Sequence, residues 1–499
     1  MIRKKSKHPQ WALRHKQKGT ELRLLSGKYY LYAVTSKWDP EKKRAKKITG
    51  KLLGRITEEE GFIDSDKYKL YKEAERNKKM KYYNTKNMGS ISIKEYGLSF
   101  YLNKHLGKYT NLLESKFKML YKEILCLSMI RLSCQSPIKN VAYHYERSFI
   151  SEVFSGLDLS DKKVSSLLRA IGRSRKESTD YMKSFVEPGD HILIDGTPIV
   201  SNSESMDINK YGYNSQGSYD PQINAVFIFS AKQSQPVFHR ILPGNIRDVK
   251  AFKLTIEESG LSDAILIADK GFYSNNNVTM LEKEKLNYII PLKRDSALID
   301  YSKIELPRKN GFTGYFEFQK RFIWYYEIQQ DSDDRRVILY FDGDLKLREE
   351  KDYLTRIETH SEEYTIEKYR ERHNSFGTIT MCTNVKGKTA QDIYEYYKSR
   401  NEIETMFDAM KNVLNADTSY MQDVEAFQGW MFINHVALQW YYSIYNLLVA
   451  NKLISKYSVK DVIMHLSGIK KIKINNEWVL AEVTKKTQTL LKKLNVPIT

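Results

Sequence analysis

The sequence predicts a mixed α/β protein with strands and helices interleaved over most of its 499 residues, and three observations carry that expectation. Ile192, Leu193 and Ile194 run into Asp195, and Ile265, Leu266, Ile267 and Ala268 run into Asp269. Short apolar runs bounded by glycine and polar residues suit strands covered on both faces. Third, Ile403, Phe407, Met410 and Leu414 repeat at i, i+4, i+7 and i+11, the stripe of a helix laid on a core.

From the N-terminus, residues 1–55 hold 17 Lys or Arg against three acids, out of a net charge of +20 for the whole chain. Such an excess implies a polyanionic partner. Two strand-like stretches flank the basic turn 40–47, so Lys42, Lys43, Arg44, Lys46 and Lys47 are the DNA-contact candidates of a β hairpin. A flexible basic arm with general affinity for nucleic acid is the other reading. Residues 63–90 read as a linker or solvated helix, and 112–132 and 162–185 as helices, the second opening at a cap-like Ser160. Lys162, Lys163, Arg169, Arg173 and Arg175 make the latter either a phosphate-binding unit or a helical scaffold.

Strands are expected at 224–231 and 236–242, then a turn at Gly244 and Asn245 with Asp248 capping a helix over 248–259. Residues 296–375 alternate or run in apolar and aromatic residues and read as a β-rich insertion. Residues 378–383 read as a strand. Thr389 and Asp392 then form a capping box that starts the next helix. The apolar segment 427–450 is interrupted by Asn434, His435, Gln439 and Asn446, so a buried helix is expected rather than a membrane span. The N-terminus has no apolar core of the secretory kind. Cys126, Cys134 and Cys382 lack paired metal spacing and read as reduced thiols in the cytoplasm.

Chemistry concentrates near residue 400. Tyr397, Arg400, Glu404 and Lys411 are separated by two, three and six residues. On one helix they fall within a sector of about 60°. A carboxylate flanked by two cations and a phenol is thereby presented on one face; an ordinary Arg–Glu surface pair is the simpler alternative. With Asp195 and Asp269, Glu404 makes three acids that could converge on divalent metal. Phosphodiester cleavage needs an activated water and a stabilised leaving oxygen, which two Mg2+ ions on carboxylate oxygens supply.

These motifs resemble the DDE transposases of bacterial and archaeal insertion sequences, in the group with the Tyr-(2)-Arg-(3)-Glu-(6)-Lys signature. Asp195 in Asp-Gly-Thr resembles the first acid and Asp269 in Ala-Asp-Lys-Gly-Phe-Tyr the second, with Lys270 where relatives usually have Arg; Asn401 stands where many have Trp. The resemblance implies an RNase H-like mixed sheet flanked by helices, with Asp195 on its first strand, Asp269 just after its fourth and Glu404 on a following helix. It implies two Mg2+ ions, with Mn2+ as substitute, held by Asp195, Asp269 and Glu404, and a phosphate site made by Tyr397, Arg400 and Lys411. Trp324, in the insertion, would stack on a flipped base, or else pack in a core. The partners implied are the element's terminal inverted repeats and target DNA, bound by a synaptic homodimer, with no membrane and a place at the nucleoid. The expected layout is a basic hairpin region (1–62), linker (63–90), helical domain (91–185), catalytic core (186–295 and 376–424) around the insertion (296–375), and a helical C-terminal region (425–499). The alternatives are a transposase-derived DNA-binding protein without turnover and a metal-dependent nuclease of the same superfamily.

Overall fold

The structure, a computed structural model, describes residues 8–39, 44–66, 68–70, 72–73, 91–187, 192–213, 219–246, 249–261, 265–304, 311–328, 335–360, 362–474 and 476–497. It divides into two units, residues 1–92 with 473–477, and residues 93–472 with 478–499.

The first unit is a four-stranded antiparallel meander of β1 (Thr20–Leu25), β2 (Lys28–Asp39), β3 (Arg44–Thr57) and β4 (Gly61–Asp64). Ser26 and Gly27, both at positive φ, make the two-residue turn that joins β1 to β2 with the twist of the strands. Ala12, Leu22, Leu31 and Ile56 form its small core. Beyond that core β2 and β3 continue as a two-stranded ribbon, exposed at residues 35–38 and 44–51. Arg44, Lys46 and Lys47 lie within β3, not in the turn; Tyr, Val, Thr and Trp along β2 offer them a partner strand. Lys42 and Lys43 fall outside the described residues, as do residues 74–90 of the expected linker.

The second unit opens on β5 (Ser92–Glu95) and continues with helices, among them Tyr121–Ser133, Asp161–Arg173 and Arg175–Lys183. Ser160 occupies the N-cap position of Asp161–Arg173 but its side chain makes no capping bond. The basic residues of these helices are partly engaged: Arg169 faces Asp423 at 3.6 Å, and Arg175 holds Glu258 at 2.7 Å. These two pairs tie the helices to the rest of the unit.

The sheet strands β6 (Ile192–Ser201), β8 (Tyr219–Ser230) and β9 (Gln235–Pro243) pair antiparallel in succession, while β7 (Lys210–Tyr213) extends the ladder along the start of β8. β16 (Thr418–Ser419) pairs with the far end of β6. A second sheet has the order β10-β11-β15-β14-β13-β12, made of β10 (Ile265–Ile267), β11 (Asn287–Pro291), β12 (Gly314–Phe318), β13 (Arg321–Ile328), β14 (Arg336–Asp342) and β15 (Thr378–Thr383). Its β10 packs alongside β6. The expected β-rich stretch 296–375 is thus β only in part: its strands β12 to β14 continue the sheet of β10 and β11 through β15, and the chain then turns helical at Gly343–Thr359 and Ile366–Arg372. Asp342 caps that turn, accepting from the amides of Asp344 and Leu345.

One face of the first sheet is set by register. Asp195 lies opposite Phe227, and Phe227 opposite His239, so the three side chains share a face. That face is covered by the helices Arg400–Asn412 and Val424–Ala450: the Phe227 ring meets Phe407 at 5.9 Å and His435 at 6.4 Å. The long helix starts at Asp423, whose carboxylate accepts from the Ala426 amide. It crosses Asp161–Arg173 at backbone contact, because Gly429 and Gly172 leave no side chain in the way; a Cβ on either would meet a carbonyl oxygen at 2.0 or 1.9 Å. No helix among the described residues is long and apolar enough to cross a membrane.

His239 and His435 sit ring to ring at 5.0 Å, and burial pushes His239 down to about 3 and His435 well below its ordinary range. Both are neutral when folded, whereas the unfolded chain protonates them near 6.5. The unfolded state therefore binds more protons between about 6.5 and 3, and stability falls as pH falls through that window. We predict a fall of up to about 1.4 kcal/mol per pH unit for each histidine. Melting curves from pH 7 to 5 should show a shallower decline for His435→Phe than for the wild type; equal slopes would contradict this account.

Candidate functional site

The stripe Ile403, Phe407, Met410 and Leu414 is buried, so the helix around it turns its polar face to the rim of the sheets. The signature does not lie on one uninterrupted helix. Ala390–Lys398, opened by the capping box of Thr389 and Asp392, ends at Ser399, and Arg400–Asn412 follows. The Ser399 hydroxyl donates to the Tyr396 carbonyl, and the Glu402 amide reaches the Ser399 carbonyl three residues back. This tightens the chain at the join. Tyr397 is therefore on the first helix, and Arg400, Glu404 and Lys411 are on the second.

The two aspartates reach the same place from adjacent strands. Asp195 lies within β6 rather than at its end, because Gly196, Thr197 and Pro198 still pair with Val226, Ala225 and Asn224. Asp269 follows β10 by two residues. Each is braced by its own successor: the Gly196 amide donates to Asp195 Oδ1 at 2.8 Å, and the Lys270 amide to Asp269 Oδ1 at 2.7 Å.

The Arg400 guanidinium gathers all three acids. Its Nη2 lies 3.1 Å from Asp195 Oδ2, and its Nη1 lies 2.6 Å from Glu404 Oε1 and 3.9 Å from Asp269 Oδ1. The Arg400 side chain is only 14% exposed, while Asp269 and Glu404 are 54% and 52% exposed. The guanidinium is thus buried among the three acids, and Asp269 and Glu404 border solvent. Burial opposes the Arg400 charge, but Asp195, Glu404 and Asp269 outweigh it and raise its pKa. Burial raises the Asp195 carboxyl, with Asp269 adding to the rise and Arg400 opposing it. Burial also raises the Tyr397 phenol; Arg400 opposes this, and Asp269 and Glu404 add to it, which places Tyr397 in the same electrostatic neighbourhood. Lys411 lies about 10 Å further along the helix axis from Glu404.

For a divalent cation the donor set is apt: three carboxylates, oxygen only, open to water on one side. Their spacing follows the guanidinium, and among the described residues no three His, Cys, Asp or Glu side chains close round one point to hold an ion. Trp324 is half-buried on β13 and packs on Tyr315 and Phe312 at 5.0 and 5.7 Å, so the structure brings it to an aromatic cluster. Tyr315 and Phe322 of the same hairpin are exposed.

A family model described as a transposase DDE domain matches residues 187–440, just over half of the chain. The chain belongs to this transposase family. Among solved structures, the cryo-EM structure of the piggyBac transposase synaptic complex with hairpin DNA is similar at 11% identity over 70% of each chain, with a TM-score of 0.39. No curated protein matches.

The transposase domain is also held by residues outside the motifs. Arg131, buried in an apolar helix, donates through Nη2 to the Leu414 carbonyl and through Nε to Asn434 Oδ1 at 3.1 Å. Gln135 donates to the carbonyls of Asn412 and Val413, and Lys460 to that of Asn412. Cations and donors at a helix C-terminus satisfy its open carbonyls and suit its dipole. A lone Arg inside YKEILCLSMIRLS was the available signal. Burial draws Arg131 down to about 10. Arg131→Leu should cost about 1–3 kcal/mol, the penalty for acceptors left unpaired in the interior. Hydrogen exchange should then quicken in the amides of 400–412; unchanged protection there would show that the anchor is dispensable.

Proposed function

We propose that this chain is a cut-and-paste DNA transposase that binds terminal inverted repeats, cleaves at the element ends and joins them to target DNA. The convergence of Asp195, Asp269 and Glu404 on one guanidinium, from two strands and a helix, is the observation that carries the reading. The strand succession β9-β8-β6, with β10 next to β6 and β11 paired to β10, supports an RNase H-like core.

Asp195, Asp269 and Glu404 would hold two Mg2+ ions, which supply an activated water and stabilise the leaving oxygen. The chain's own groups do the rest. Arg400 and Lys411 hold the terminal phosphate, Arg by bidentate geometry and Lys as a point charge, with Tyr397 beside them. The freed 3′ hydroxyl then attacks the opposite strand, forming a hairpin and releasing the flanking strand; a second water opens the hairpin, and the 3′ hydroxyl so regenerated attacks the target and displaces a target 3′ hydroxyl. A homodimer brings two ends together. Trp324 with Tyr315 and Phe322 offers aromatic faces for an unstacked base.

The ribbon of β2 and β3 is the proposed contact with the repeats. Lys37 and Lys46 face each other across its strands, and neither meets an acid among the described residues. Opposed like charges weaken a ribbon in water, and a phosphate backbone removes that penalty. Lys47 is less available, being 2.8 Å from Glu21. Arg44 lies opposite Asp39 at the end of the ribbon, so it is also less available than Lys37 and Lys46.

Two outcomes are expected. Glu404→Gln should lower cleavage of labelled inverted-repeat DNA by on the order of 10²-fold or more, with binding retained. If binding and cleavage fall together, the catalytic assignment fails; binding without cleavage by the wild type would favour a regulator, and cleavage without joined products a nuclease. Replacing Lys37 and Lys46 by Ala should reduce the slope of log affinity against log salt by about 2. An unchanged slope would remove the ribbon from the interface.

A further inference from the structure

We propose that Arg400 is a tethered stand-in for the divalent cation: it holds Asp195, Asp269 and Glu404 together while no metal is bound, and it moves to DNA phosphate when metal enters. The inference rests on the reading of these acids as the metal-holding set, and it adds a coupling between metal and DNA that the set alone does not require.

Four features point to an exchange. First, one guanidinium occupies the position that all three carboxylates face, at 3.1, 3.9 and 2.6 Å. Arg400 therefore cannot serve phosphate from this place. Second, a single positive charge leaves three carboxylates under-neutralised. A divalent ion brings twice the charge to shorter distances, about 2.0–2.1 Å for Mg2+ to oxygen, and out-competes the guanidinium. Third, Arg400 Nε is buried and has no hydrogen-bond partner, so the resting position leaves one donor of the fork unpaired. A phosphate, with several acceptor oxygens, can satisfy the fork more fully. Fourth, the side facing water is made by Asp269 and Glu404, each more than half exposed, so an ion can enter without the backbone moving. Arg400 and Glu404 lie one helical turn apart, and a side-chain rotation about the Arg400 stem is enough to separate them.

The resulting device makes binding reciprocal. Metal releases Arg400 for DNA, and DNA, by holding Arg400, clears the acids for metal. A fixed Arg400 that merely lends positive charge would show no such linkage through its own side chain.

The test uses the full-length protein, Mn2+ binding followed by the loss of the free-ion electron paramagnetic signal, and the affinity for a short duplex measured with and without Ca2+. In the wild type, Ca2+ should tighten duplex binding by about tenfold, within the ordinary range of such couplings. Arg400→Ala should still take up Mn2+, and its duplex affinity should change less than about twofold with Ca2+, near the lower edge of a resolvable coupling. Its melting temperature without metal should fall, and saturating Mn2+ should restore it. If Arg400→Ala does not fold, Arg400→Lys keeps the charge but not the fork and should show a weakened coupling. Coupling unchanged in a variant that binds Mn2+ overturns the exchange and leaves the metal-holding reading intact. Mn2+ uptake absent in the wild type, or unaffected by Glu404→Gln, overturns both.

Discussion

Three carboxylates brought within one pocket repel one another, and the fold can hold them there only with a cation among them. Arg400 meets that requirement, and the cost of burying its charge is met by the same acids. The arrangement is mutual: the guanidinium is retained in a 14% exposed position because it is surrounded by carboxylates, and the carboxylates keep their positions because it is there. Such a group is a strong constraint, since removing either partner of a buried pair leaves the other uncompensated.

The rest of the second unit can be understood as a frame for that group. β6 and β10 lie side by side, so Asp195 and Asp269 arrive from neighbouring strands. The register from Asp195 to Phe227 to His239 turns one face toward the helices, and Phe227 against Phe407 sets the distance of the Arg400–Asn412 helix from the sheet. The other end of that helix is held by Gln135 and Lys460 on the Asn412 carbonyl and by Arg131 on the Leu414 carbonyl just past it. The site is thus anchored at the sheet and at the helix terminus, while its open edge is made of exposed acids.

Much of this was legible in the sequence because local rules sufficed. The strand Thr378–Thr383 and the capping box of Thr389 and Asp392 follow from alternation and short-range hydrogen bonding, and the buried stripe of Ile403, Phe407, Met410 and Leu414 from helical period. Four features were not legible, for physical reasons. The break at Ser399 depends on a hydroxyl turning back to a carbonyl, which helical periodicity does not encode. The continuation of β6 through Asp195 depends on what the neighbouring strand offers. The joining of β12 to β14 onto β15 is a long-range pairing, and a run of strand-forming residues says nothing about which sheet it enters. Arg400's place among the acids is likewise tertiary: the spacing placed it on the right face as an expected phosphate ligand, but only the approach of β6 and β10 shows what it touches.

The shared sheet of β10 to β15 has a mechanical meaning. From the exposed aromatic hairpin of β12 and β13, an unbroken series of paired strands runs through β14, β15 and β11 to β10, which ends two residues before Asp269. Hydrogen-bonded strands resist shear collectively. A load applied at the hairpin's outer edge is therefore carried to the root of Asp269 as a displacement of the whole plate, so the distal edge and the acid-bearing edge behave as two ends of a single stiff lever.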